Sequence, residues 1–261
     1  MERVTILIAC YNDEDYIERA IESALNQDYK GDLVVCVIDD GSSDRSLELS
    51  KLFMKRPSLD NHQNCKVTFQ ENMGRNGNVK MVVIEKQNGG PSDARNIGIG
   101  YTHPHTDIYA VLDSDDEMYE NKISRCVGVM SEDMDSIGVV YGDYDTYHTS
   151  TGKKIREFKE PYSRRRLVRE CIVHSGSIIN KKALDAVCEE TGFYDVNMRT
   201  CEDYDLWMRI SEKFLIAHIP ESLTLVRVTG DNSSFIVNKE IWEKNWTRLM
   251  EKMQQRLYAK Q

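Results

Sequence analysis

The strongest constraint on how this chain can fold is a repeated pairing. A short apolar, β-branched run stops at a polar or acidic turn, and a stretch with helical apolar spacing follows. Val4–Cys10 is the first such run, and Ile17, Ala20, Ile21, Ala24 and Leu25 recur behind it every three or four residues, as on the buried face of a helix. Residues 33–38 repeat the strand and end at Asp39-Asp40-Gly41-Ser42-Ser43-Asp44, ahead of a helix carrying Leu47, Leu49, Leu52 and Phe53. Residues 79–84 and 108–112 are two further buried strands. Strand, helix, strand, helix predicts an α/β fold with a mainly parallel central sheet, because parallel neighbours need crossover connections. Such sheets bind ligands outside the carboxyl ends of their strands, where this chain places its polar turns.

One of those ends stands out. Residues 108–112 run into Asp113, Ser114, Asp115, Asp116 and Glu117. Carboxylates this close repel one another unless a cation neutralises them, and hard oxygen ligands suit Mg²⁺ or Mn²⁺, ions that commonly bridge to substrate phosphates. After residues 79–84, Asn88-Gly89-Gly90-Pro91 supplies a tight turn and a proline suited to a helix start. That helix would aim its N–H groups at whatever lies beyond the strands.

The rest of the chain is less regular. Residues 56–78 read as a loop or hairpin insertion, with 66–70 a short strand and Asn76-Gly77 a turn signal. Residues 137–147 and 153–158 flank Thr149 to Gly152 as an antiparallel hairpin, 174–180 is a strand candidate, and Leu215–Val228 suggests two short strands around Pro220. Arg164, Arg165 and Arg166 form a basic cluster that reads as a solvated face with some capacity to meet phosphate, and Lys239–Tyr258 reads as an amphipathic terminal helix. The predicted organisation is one domain over 1–235, in two halves at 1–118 and 119–235. Residues 236–261 form a helix that packs on that domain or on a partner.

Composition bounds the function. With 43 acidic against 34 basic residues the net charge is −9, which opposes nonspecific binding to nucleic acid or anionic membrane. No segment reaches the roughly 20 apolar residues of a membrane span. The early first strand leaves no room for a signal peptide, and the seven scattered cysteines read as reduced core thiols. The expected location is cytoplasmic, with peripheral membrane attachment through the terminal helix as an option.

Five stretches, in order, resemble a family 2 glycosyltransferase of the GT-A fold. They are Val4 to Asn12, Val37 to Asp44, Asn88 to Gly98, Leu112 to Asp116, and Cys201-Glu202-Asp203-Tyr204-Asp205-Leu206-Trp207. The resemblance implies an inverting transfer of a sugar from a nucleotide-sugar, a UDP-sugar first among them, to a hydroxyl of a glycan, lipid-linked saccharide or protein-glycan acceptor, with 1–118 the nucleotide-binding half and 119–235 the acceptor and catalytic half. Ala9, Tyr11, Asp40, Gly90, Arg95, Asp113 and Ser114 would then contact the donor. Tyr11 would lie against the base, Asp40 would accept from the uracil nitrogen, and Arg95 would sit on the helix surface within reach of phosphate. Asp113 and Asp115 match the family's Asp-x-Asp motif and would hold a divalent Mn²⁺ or Mg²⁺. Asp203 matches the base that deprotonates the acceptor. Many relatives carry a metal-reaching His where this chain has Thr229, with Asp231 a substitute ligand. Two other readings use the same residues. A nucleotidyltransferase would want a basic, glycine-rich loop after the first strand, which residues 9–14 do not provide. A degenerate module would keep the nucleotide pocket without catalysis.

Overall fold

The structure is a computed structural model that describes residues 1–74, 77–230 and 239–258. Its centre is four parallel strands, β5 (Val79–Glu85), β2 (Leu33–Asp39), β1 (Val4–Cys10) and β6 (Ile108–Asp113), side by side in that order. The apolar runs build them as strands because each has two buried faces. In β1, Val4, Ile6, Ile8 and Cys10 point into one core layer and Leu7 into the other; in β6, Ile108, Ala110 and Leu112 oppose Tyr109 and Val111. Parallel strands buried on both sides read as near-continuous apolar sequence, and each fully buried aliphatic side chain contributes ~1.5–3 kcal/mol.

Helices α1 (Ile17–Leu25), α2 (Ser46–Leu52) and α4 (Lys122–Met130) cover one face. Helix α3 (Pro91–Thr102), α6 (Lys181–Ala186), α7 (Glu202–Ile210) and α8 (Lys239–Tyr258) cover the other, and the one-turn helix α5 (Arg164–Leu167) contributes Leu167 to that layer. Beyond β6 the sheet turns mixed. Strand β10 (Ile178–Asn180) is antiparallel to β6 and to β8 (Ile137–His148), and β11 (Leu215–Val228) runs parallel to β8 and antiparallel to β7 (Glu117–Met118). The fold class is therefore the expected α/β, with the parallel strands confined to the β5–β2–β1–β6 core and the β8–β11 pair.

One local expectation is resolved and two change. The 56–78 insertion is a hairpin, β3 (Ser58–His62) and β4 (Cys65–Met73), that extends the sheet from β5. Its two-residue turn is Gln63-Asn64, both at positive φ, the geometry that matches strand twist; Asn76 lies outside the described residues. Leu215–Val228 is one strand, not two, because register breaks between Ile219 and Leu225 absorb Pro220, which cannot donate to a ladder. The 174–180 strand shrinks to three residues. The hairpin at Thr149 to Gly152 forms as read, between β8 and β9 (Lys153–Glu157). No helix among the described residues is long and apolar enough to cross a membrane.

Helix α3 approaches the sheet closely at Gly98, where an added Cβ would lie 2.7 Å from the Ile38 Cδ1 and 3.0 Å from the Leu7 Cδ2. Gly98→Ala gains about 1 kcal/mol of helix propensity but overpacks the interface by roughly 1–3 kcal/mol. A net fall in stability is expected, read as a lower urea midpoint; an unchanged or raised midpoint would show that α3 can move away freely.

Candidate active site

Parallel register sets the site. Across β1, Cys10 is level with Asp39 of β2 and Ala9 with Asp113 of β6. The Ala9-Cys10-Tyr11, Asp39-Asp40 and Asp113 to Asp116 segments therefore share the carboxyl edge of the sheet. Tyr11 is half-exposed there, at 51%, so its ring face is open to a ligand. Gly90 caps α3 at φ 92°, in the left-handed region that favours glycine.

Asp40 is buried and accepts from the Gly89 N–H (2.9 Å), the Gly90 N–H (2.8 Å) and the Lys86 ammonium. It ties the turn after β2 to the loop that starts α3. Neighbouring Asp39, passed over in the sequence, has one oxygen bonded to the Ser42 N–H at 3.2 Å and the other buried without a partner.

Arg95 is not on the helix surface. It is buried, with Nη2 donating to Asp113 at 2.9 Å and Nη1 to Glu202 at 2.6 Å, and its guanidinium lies 5.4 Å from the Tyr194 ring centre. One side chain on α3 thus joins the end of β6 to the start of α7, and Glu202 lies 107 positions from Arg95 in sequence. Asp113 also accepts from the Ser175 hydroxyl at 3.1 Å. Burial alone would raise the Asp113 pKa, but the charge of Arg95 and the Ser175 bond hold it below the usual carboxylate value. Ser114 donates to Asp13 and is buried.

Further along the loop the charges are less well compensated. Asp116 is buried, and burial with the nearby charges of Asp113 and Asp115 pushes its pKa well above normal. It accepts from the Arg227 N–H at 2.8 Å, and the Arg227 side chain reaches Glu117 and the Asp115 carbonyl. Asp115 keeps a partly open side chain. No cluster of three or more His, Cys, Asp or Glu ligands occurs among the described residues. The neighbouring Asp113 and Asp115 carboxylates nevertheless fit a Mg²⁺-like ion, which takes one or two carboxylates and completes its shell with phosphate and water. Thr229 follows β11, while Asp231 lies outside the described residues. Lys122 is buried beneath the loop, bonds to Thr224 at 2.8 Å, and is brought down to about 8 by burial. His174 is neutral, lowered to about 3 by burial and the charge of Lys122, and accepts from the Gly176 N–H.

Asp203 sits in the first turn of α7 and accepts from the Tyr204 N–H at 2.7 Å. Burial, then the adjacent Glu202 charge, raise it to about 7, although Arg95 pulls the other way. The residue before this pair, Cys201, has φ 61°, uncommon for a side chain other than Gly, Asn or Asp and a mark of local strain. Asn245 of α8 holds that turn: with its carbonyl facing the loop it accepts from the Thr200 hydroxyl (2.9 Å), the Thr200 N–H (3.1 Å) and the Arg199 N–H (3.2 Å). The Glu202-Asp203 pair was visible in sequence; Asn245 and Ser175 were not, since neither belongs to a local pattern.

The sheet thus gathers an aromatic residue, a glycine-capped helix and a set of carboxylates at one edge, with a second carboxylate pair at the start of α7 joined to it through Arg95. The model of the glycosyl transferase family 2 matches residues 5–188, and this chain belongs to that family. Similar proteins include an uncharacterized glycosyltransferase of Rickettsia bellii, 27% identical over 90% of this chain and 30% of its own length, and the chondroitin synthase of Pasteurella multocida, 27% identical over 93% and 22%. The chain spans between about a fifth and a third of the length of these relatives. In fold it is similar to S. aureus TarS 1-349 in complex with UDP-GlcNAc, at a TM-score of 0.66 and 16% identity, over 92% of this chain and 64% of that one. That likeness establishes the GT-A fold.

Arg95→Met removes the tie and leaves two carboxylates facing each other without their shared cation. Breaking a buried pair in this way costs roughly 3–5 kcal/mol, so denaturant unfolding of the variant should show a loss of that order. A loss under about 1 kcal/mol would mean that the bridge does not hold β6 to α7.

Proposed function

We propose that this chain is an inverting glycosyltransferase that moves a sugar from a UDP-sugar to a hydroxyl of a glycan acceptor. The observation that carries this reading is the Arg95 bridge, which sets the strand-end carboxylate Asp113 beside the Glu202-Asp203 pair. A donor diphosphate at the first and an acceptor hydroxyl at the second would meet across a short gap. The family membership and the UDP and UDP-GlcNAc complexes of the structurally similar TarS support the donor class.

In this reading the open face of Tyr11 receives the uracil ring. Two donors already bond to one Asp40 oxygen and one to the other, so the second oxygen has lone-pair capacity left for a base N–H. Gly90, Ala9 and Ser114 shape the wall around the ribose and diphosphate. Asp115 and Asp113 would hold Mn²⁺ or Mg²⁺, which would supply Lewis-acid stabilisation of the departing diphosphate. Asp203 takes the proton from the acceptor hydroxyl as that oxygen bonds to the anomeric carbon. The carbon–phosphate-oxygen bond breaks with its electron pair leaving on UDP, and the configuration inverts because attack comes from the opposite face. A base near 7 suits this step, since catalysis is best when the pKa lies close to the working pH.

The acceptor-dependent rate should therefore rise roughly tenfold per pH unit below about 7 and level off above it. Asp203→Asn should bind UDP but fail to transfer, in an assay of nucleoside diphosphate release across a panel of UDP- and GDP-sugars; full transfer by this variant would refute the base assignment. The same shift has a stability sign. Because the folded pKa is above that of the unfolded chain, folding favours protonated Asp203, and stability falls as pH rises from about 4 to about 7. Asp203→Asn should thus be more stable than the parent at pH 8, with that advantage shrinking at pH 4. Equal stability differences at both pH values would contradict the raised pKa.

A further inference from the structure

Outside this site, the conspicuous chemistry is a charge asymmetry. Residues 153–170 carry eight cations and three carboxylates in a chain whose net charge is −9. They form β9, the segment after it and α5. Some of the charge is already paired: Arg156 with Asp143 at 2.9 Å, Lys154 with Asp145 at 3.0 Å, and Arg166 with Glu170 at 2.7 Å. Lys153, Arg164, Arg165 and Arg169 are exposed and form no ion pair among the described residues. Such a concentration on an otherwise acidic molecule makes a local positive field that a solvated helix face does not require.

Two features connect this strip to the site. First, a cleft beside it is lined by Arg156, Phe158, Lys159, Tyr162 and His218. The Phe158 ring is 75% exposed, with the Arg156 guanidinium 4.8 Å from its centre. An aromatic face presented this openly offers the C–H side of a sugar ring a surface, and the flanking cations offer its acidic substituents partners. Second, a line of contacts leads inward. The Lys159 ammonium lies 5.3 Å from the Tyr144 ring centre, the Tyr144 ring packs at a 32° tilt against His174 with centres 4.6 Å apart, and Ser175, next in the chain, bonds to Asp113.

We propose that the β9–α5 strip is the acceptor-binding surface and that its ligand is a saccharide chain bearing repeated anionic groups, carboxylate or phosphate. This rests on the glycosyltransferase reading for what becomes of the acceptor but not for whether it binds. A saccharide of that kind would be repelled by the rest of the surface and drawn to this strip, which delivers its end toward Asp203. An anionic membrane fits less well. The strip is a strand and a single helical turn with Glu157, Glu160 and Glu170 interspersed, not a long amphipathic helix that lies in an interface, and a bilayer headgroup cannot follow the contacts inward to His174.

The test is equilibrium binding to the full chain, by calorimetry, of four probes. They are an oligogalacturonate (carboxylate), a phosphorylated oligomannose (phosphate), a neutral malto-oligosaccharide of equal length, and phosphatidylglycerol vesicles. UDP binding is measured in parallel. One or both anionic saccharides should bind, more weakly as salt is raised, and the tighter of the two identifies the anionic group. In the triple variant Arg164→Glu, Arg165→Glu, Arg169→Glu, that binding should drop by roughly tenfold or more, with UDP affinity unchanged. Phe158→Ala should weaken it separately. Equal binding of the neutral saccharide, preference for vesicles, or an unaltered affinity in both variants would overturn the proposal. Failure of the parent chain to bind UDP would instead overturn the glycosyl-transfer reading, and the saccharide titration would still decide the strip.

Discussion

The arrangement depends on the placement of one buried guanidinium. Arg95 leaves α3 pointing inward and meets Asp113 at the end of β6 and Glu202 at the start of α7. Carboxylates of two distant segments cannot sit together in a low-dielectric interior unless a cation is shared between them. Here the cation is covalent to the sheet's covering layer, so the carboxylate edge has a fixed geometry before any ligand arrives. The charge of Arg95 also keeps Asp113 ionised, whereas burial, and then the adjacent charge of Glu202, lift Asp203 to about 7. Two acids in the field of one guanidinium thus acquire different protonation states, the division of labour that a cation-binding carboxylate and a proton acceptor would need.

The position of Asp203 is secured from the opposite side by the C-terminal helix. Helix α8 buries Leu249 and Met253 against the layer that contains Trp207. Lys252 bonds to Asp205 at 2.8 Å and Asp195 at 3.1 Å, Arg248 to Asp195 at 2.8 Å, and Asn245 to the turn before Glu202. Both aspartates are fully buried, so these cations neutralise charge that would otherwise destabilise α7. A left-handed Cys201 immediately before the acidic pair persists because its surroundings over-determine it. The terminal segment is therefore part of the scaffold of the site.

Much of this could be read in the sequence because the signals were local. The near-continuous apolar runs of β1 and β6 mark strands buried on both faces, the spacing of Ile17 to Leu25 marks a buried helix face, and parallel register then carries Ala9, Asp40 and Asp113 to one edge. What escaped was decided by distant partners. Arg95 reads as a surface residue until Asp113 and Glu202 are seen on either side of it. The β3–β4 turn fell at Gln63-Asn64, a pair with a weak turn signal, because strand pairing with β5 sets where the chain must reverse. Pro220 looked like a strand end, yet a bulge against β8 lets the strand continue. Asn245 could not be found by pattern at all, since its only significance is the turn it caps 45 positions away.

The central claim is that the strand-end carboxylates and the Glu202-Asp203 pair form one site held by Arg95, and a crystal structure of the chain with UDP and Mn²⁺ tests it most directly. The account predicts the uracil on Tyr11, the diphosphate at Asp113 and Asp115, and Asp203 facing the vacant sugar position with both Arg95 ion pairs intact. Nucleotide bound away from these strand ends, or Arg95 released from Asp113 and Glu202 to take the phosphates, would contradict it.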